Sequence, residues 1–120
     1  METHKGNCHC GRVAFKIETH IQETFECNCS ICTRKGILHL PVEDKNFKIL
    51  KGEKHLSLYQ FGENQASHWF CSYCGIHPFA RPRTDPSRYT INLRCLESYD
   101  DIIKNITKKT FNGREHPLDK

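Results

Sequence analysis

The sequence predicts a mainly β fold, antiparallel and closed or half-closed, with at most one short helix near the C-terminus. Three observations predict it. Apolar residues alternate with polar ones at a period of two in several short runs. Gly, Pro, Asn and Asp bound those runs. Helical spacing occurs in one segment only.

The elements follow in chain order. In "RVAFKIET", Val13, Phe15 and Ile17 face one way and Lys16 and Glu18 the other. "GILHLPVE" and "NFKILKG" read as two further strands between turn residues. "HLSLYQFG" alternates at Leu56 and Leu58, with Tyr59 and Phe61 on the opposite face. "SRYTINLRCL" puts Tyr89, Ile91, Leu93 and Cys95 on one side. "SYDDIIKNITKK" spaces Ile102, Ile103 and Ile106 along one helical face, with Ser98 as its cap. The 120 residues make one domain, with a core over about 6–111 and a loose tail over 112–120. No repeat or low-complexity linker interrupts them.

Composition bounds the class. Hydrophobic residues make up 37% of the chain, and mean hydropathy is -0.67. A core this modest calls for staples of metal or disulfide. The N-terminus "METHKGNCHC" has no apolar run, and no stretch is long enough to span a bilayer. A cytoplasmic or nuclear location is expected, not a secreted one, and no membrane partner. Thiols stay reduced there, so the eight cysteines point to metal rather than to disulfides. A net charge of +4 suits an anionic small molecule. It also suits weak contact with nucleic acid and proves neither; nucleic acid is not the expected partner.

Seven cysteines form three clusters: Cys8 and Cys10; Cys27, Cys29 and Cys32; Cys71 and Cys74. On a strand, Cys-x-Cys offers two thiolates to one side. Cys-x-x-Cys closes a turn, and Gly75 after it suits a positive φ. Cys8, Cys10, Cys71 and Cys74 together make the four ligands of a structural Zn²⁺ site. Cys27, Cys29 and Cys32 remain, three ligands with a fourth position open, as in catalytic zinc sites. Two alternatives stand at this point. Cys95 or a histidine closes the second site, or Cys8 and Cys10 pair instead with Cys27 and Cys29. Three thiolates make zinc a weak activator of water but a good host for an incoming thiol. The chemistry indicated is carbon–sulfur bond making and breaking.

"CHCGRVAFKIE", "CNCSICTRKG", "WFCSYCGIHPF" and "INLRCLE" resemble, in order, the motifs of the glutathione-dependent formaldehyde-activating enzyme family. The resemblance runs from about Gly6 to Leu96. It implies a coiled antiparallel β half-barrel with two zinc ions per chain. It implies Cys8, Cys10, Cys71 and Cys74 at the structural site, and Cys27, Cys29 and Cys32 at the open, substrate-side site. It also implies a carbon–sulfur lyase acting on adducts of glutathione, or a similar thiol, with formaldehyde or a related carbonyl. "CNCSIC" and "CGIHPF" look closer to the centromere protein V-like branch, where the domain is a zinc module for protein or nucleic-acid partners.

Beyond the cysteines, Arg34, Lys35, Arg81 and Arg83 are candidates to hold the carboxylates of a thiol tripeptide. Solvated surface charge is the plainer reading of any one of them. His39 and His77 are candidate acid–base groups, against a supporting or surface role. His9, between two ligands, should point away. Trp69 and Phe70 read as core beside the Cys71 knuckle. Cys95 reads as a buried hydrophobe, a spare ligand or a substrate-side thiol.

Overall fold

The computed structural model describes residues 1–62, 66–83, 85 and 87–113. Among these described residues, ten strands form two sheets that do not close on one another. The smaller sheet holds β1 (Glu2–Asn7), β2 (Ala14–Thr19) and β5 (Phe47–Lys51), in that order. The larger contains β3 (Glu23–Cys27), β4 (His39–Glu43), β6 (Leu56–Tyr59), β7 (Ser67–Cys71), β8 (Phe79–Arg81), β9 (Arg88–Asn92) and β10 (Thr107–Phe111). Its order is β10-β3-β4-β9-β8-β7-β6. Every pairing is antiparallel except that of β10 with β3.

The mainly β expectation holds, and alternation explains why. Phe15 and Ile17 of β2 are fully buried and meet Leu40, Val42, Phe79 and Ile91 of the larger sheet in one core. Phe47, Phe79 and Tyr89 pack as tilted and edge-on rings against it. Pro41 sits inside β4 without disrupting the sheet. β3 pairs with β4 at Phe25–His39 alone, so the missing N–H of Pro41 lies beyond that pairing.

Five details differ from expectation. Leu58, like Tyr59 and Phe61, is about half exposed, because β6 is an edge strand that packs on the core at Leu56 and leaves its far end uncovered. Cys95 lies in a 3₁₀ turn, Leu93–Cys95, that ends β9. The C-terminal helix α2 is only Tyr99–Ile102, and Ser98 makes no side-chain cap. Thr107–Phe111, read as helical at "ITKK", instead forms β10 beside β3, where its Thr and Phe side chains suit a strand. A six-residue helix, α1 (Ser30–Lys35), has no counterpart among the expected elements. The expected loose tail lies outside the described residues from 114 onward.

Candidate metal centres and the adjoining groove

The first cysteine group lies where the two sheets meet. Cys8 and Cys10 occupy the turn after β1, not a strand, and Gly11 N donates to Cys8 O at 3.2 Å. Cys71 ends β7, and Cys74 follows in a turn closed by Gly75 N to Cys71 O at 2.8 Å. Gly75 has φ 78°, as the turn requires. The four sulfurs lie within 4.8 Å of one another. Cys10 Sγ is 3.6 Å from both Cys8 Sγ and Cys71 Sγ. Four Zn–S bonds of about 2.3 Å in a tetrahedron would set sulfurs about 3.8 Å apart, so the donor set fits zinc. The N–H groups of Val13 and Tyr73 donate to Cys8 Sγ and Cys71 Sγ, both at 3.4 Å, as they would to thiolates. Burial pushes the Cys8 thiol up to about 11. Hydrogen bonds from Arg12 bring Cys10 down to about 6.

The second group is built by α1. Cys27 ends β3, Cys29 caps the helix and Cys32 lies in its first turn. Cys29 Sγ accepts from Cys32 N at 3.4 Å, so a sulfur does the work of an N-cap oxygen. Gly36, with φ 65°, ends the helix by donating its N–H to Cys32 O. The three sulfurs lie within 4.8 Å of one another, and no fourth ligand joins them among the described residues. Hydrogen bonds from Cys27 and then Cys32 hold the Cys29 thiol far below its ordinary range. Sharing with Cys27 and Cys29, then burial, pushes Cys32 far up. One thiolate thus forms readily, and a cation is needed for the others.

His39 supports this group rather than completing it. Its Nε2 is 3.3 Å from Cys32 Sγ and its Nδ1 is 2.9 Å from Thr90 Oγ1. Its ring stacks on Phe25 at 4.9 Å. Burial, then Lys35, lowers it to about 4, so the imidazole is neutral near pH 7. With Cys32 ionised, Nε2–H donates to the sulfur and the Thr90 hydroxyl donates to Nδ1.

A groove of about 450 Å³ flanks α1. Arg34, Lys35, His77 and Asn92 give it a polar side, and Ile31, Ile37, Tyr59, Phe70 and Ile76 an apolar one. Lys35 Nζ donates to His68 Nδ1 at 3.2 Å, and the Cys32 and Cys29 sulfurs attract it. Among the described residues, it has no carboxylate partner. His68 stacks on Phe61 and His77 on Phe70. Burial, then Lys35, lowers both to about 4. His68 Nε2 and His77 Nδ1 are buried without a hydrogen-bond partner.

Of the basic candidates, the structure brings Arg34 and Lys35 to this groove. Arg34 also donates to Ser30 O at 2.9 Å. Arg81 lines a separate groove of about 400 Å³, paired with Asp44 at 2.9 Å and lying over the Tyr89 ring. Arg83 is half-buried just beyond β8. Cys95 joins neither sulfur group. Burial, then the nearby Cys8 and Cys74, raises it to about 12. His9 is exposed, and Trp69 packs on the core, whereas Phe70 faces the groove. His68 was missed in the sequence because its strand, "SHWFC", is too short to show a face.

The profile of the glutathione-dependent formaldehyde-activating enzyme family matches residues 3–112. The chain belongs to that family. A Halomonas elongata protein, provisionally named as a glutathione-dependent formaldehyde-activating enzyme, is 26% identical over 91% of this chain and 87% of its own length. A crystal structure of a Rhodobacter sphaeroides protein is 33% identical, covering 87% of this chain and 98% of that one, with a TM-score of 0.78. As a member of the family, the chain carries two cysteine groups that suit metal ions. Among its described residues, no helix is long and apolar enough to cross a membrane.

Proposed function

We propose that this member of the glutathione-dependent formaldehyde-activating enzyme family is a carbon–sulfur lyase, and in reverse a synthase. Its substrates are adducts of glutathione, or a similar thiol, with formaldehyde or a related small carbonyl. One observation carries the reading. Among the described residues, three sulfurs converge without a fourth ligand beside a groove holding two cationic side chains, while the other cysteine group has four. We take Cys8, Cys10, Cys71 and Cys74 to hold a structural Zn²⁺, and Cys27, Cys29 and Cys32 a second. When bound by three thiolates, Zn²⁺ keeps an incoming thiol deprotonated and activates water only weakly.

The chain's own groups supply the rest. His39 fixes the Cys32 sulfur by its Nε2 contact. Lys35 and Arg34 are placed to hold carboxylates of the thiol. In the lyase direction, the adduct's hydroxyl gives its proton to the neutral imidazole of His77 on the groove side. The carbon–oxygen double bond forms as the carbon–sulfur bond breaks, and sulfur leaves with the electron pair. In synthesis, the same imidazolium returns the proton. His39 is not free for this step, since both its nitrogens are engaged. Arg83 remains a candidate contact for the tripeptide, and an Arg83→Ala variant with unchanged thiol affinity removes it. A cytoplasmic or nuclear setting goes with the reading.

The test is zinc per chain for the native protein and for Cys29→Ser, each with and without glutathione. Two ions falling to one in a folded variant, with a glutathione-dependent spectral change at the second site, support the lyase. If both ions ignore glutathione and losing the second unfolds the chain, the centromere protein V-like role as a non-catalytic zinc module replaces it.

A further inference from the structure

All five residues of β10 are exposed, yet Gly113, two residues beyond its end, is buried. The reason is a close approach rather than a turn. A Cβ at 113 would collide with Cys27 Sγ and lie 2.8 Å from Cys29 Cβ and 3.1 Å from Cys29 N. The backbone at 113 therefore occupies the space beside Cys27 and Cys29. Only glycine permits this, since real Cβ atoms do not approach sulfur or carbon so closely.

The strand leading there is held at several points. Phe111 O accepts from Asn28 N at 3.2 Å, one residue before Cys29. Lys108 pairs with Glu26 at 2.6 Å and Lys109 with Glu23 at 2.8 Å. The Phe111 ring meets Phe25 edge-on, and Phe25 stacks on His39, the ring in contact with Cys32. The strand thus reaches the three sulfurs along two routes, one through backbone and one through rings.

We propose that β10 and Gly113 form one wall of the three-cysteine centre, so that metal binding there and docking of the C-terminal strand are coupled. This rests on the reading that Cys27, Cys29 and Cys32 hold a metal. A fourth ligand cannot enter on the Cys27–Cys29 side, which Gly113 closes. It enters from the side of Lys35 and His68. Because coupling is reciprocal, an ion at these sulfurs slows opening of β10, and loosening β10 weakens the ion. Gly113 is a positioning residue in this scheme, touching ligands and not substrate.

The experiment uses the full chain and Co²⁺, whose charge-transfer absorption reports thiolate ligation, together with amide hydrogen exchange. Gly113→Ala should keep the four-cysteine ion and bind the second at least tenfold more weakly. Lys108→Glu, which touches no cysteine and sets like charges together at Glu26, should weaken the second ion by a smaller factor. In the wild type, amides over 107–113 should exchange more slowly once the second site fills, and not on filling of the first. Two ions bound by Gly113→Ala as tightly as by the wild type would overturn the coupling, as would β10 amides indifferent to the second ion. Should Gly113→Ala fail to fold, the wild-type exchange and Lys108→Glu decide. A wild type that binds a single ion removes the proposed open site and the coupling together. Two ions with an indifferent Gly113→Ala remove the coupling alone.

Discussion

Among the described residues, Lys35 is a cation with no carboxylate beside it, held between a histidine and the sulfurs of Cys29 and Cys32. An anionic substrate group is its natural partner, and a charge-assisted bond of this kind contributes roughly 1.5–3 kcal/mol. Lys35→Met should therefore weaken thiol binding about tenfold or more by calorimetry, while the Co²⁺ spectrum of the thiol-free protein stays unchanged. Arg81→Ala should leave thiol affinity within about twofold. Its cost should appear in thermal stability instead, through the lost Asp44 pair and Tyr89 stacking, at about 1 kcal/mol. The three imidazoles give a pH prediction. His39, His68 and His77 fall from 6.5 to about 4 in the folded chain. Between those values the unfolded chain binds protons that the folded chain refuses, so stability drops as pH falls from about 6.5 to about 4. The slope per group approaches about 1.4 kcal/mol per pH unit at most. His68→Gln should flatten the curve of denaturation midpoint against pH in that window. An unchanged slope would mean that His68 ionises freely in the folded protein.

The helix α1 shows how a small element can organise a site. It has six residues, a sulfur for a cap and a glycine for an end. Gly36→Ala forces a side chain into the left-handed region and should cost about 1 kcal/mol. Urea denaturation would measure it, and the second ion should bind more weakly, because Cys32 carries the last hydrogen bond of the helix. How much was legible in the sequence divides by element length. β2 declared itself through Val13, Phe15 and Ile17, since one buried face forces strict alternation. The grouping of Cys8, Cys10, Cys71 and Cys74 was the favoured one in the sequence, because a tetrahedral site takes four ligands and Cys-x-x-Cys closes a turn, and the four sulfurs do converge. α1 was not legible: one and a half turns cannot show a 3.6-residue period, though Gly36 and the basic Arg34 and Lys35 marked its end. β10 was hidden for another reason. Its partner β3 lies some eighty residues earlier, and its exposed side chains show no buried face. The groove was half legible, through Arg34 and Lys35. Asn92 reaches it, and His68 reaches Lys35, only by folding of distant strands.

At the scale of the molecule, the two cysteine groups have different structural reach. The four-cysteine group joins the turn after β1, in the smaller sheet, to the end of β7, in the larger, 61 residues apart. The three-cysteine group belongs to the larger sheet and its helix alone. Cys71→Ser should therefore leave the chain largely unfolded at room temperature, since losing a structural zinc site removes folding free energy outright. Cys29→Ser should keep far-ultraviolet circular dichroism close to the native spectrum and lower the melting temperature by several degrees. Chelator titration should release the three-cysteine ion first, with unfolding following only the loss of the other. The position of Gly113, 39 residues after Cys74, has a consequence for how the protein is born. A chain emerging from the ribosome N-terminus first has all four ligands of one group after Cys74. The wall beside Cys27 and Cys29 does not exist until residue 113 has been made. The four-cysteine group can thus be loaded early on a nascent chain, whereas the proposed open centre matures only after residue 113 has been added. Stalled chains just long enough to bring Cys74 out of the exit tunnel should carry one zinc ion, and the second should appear only once residue 113 is clear of it as well.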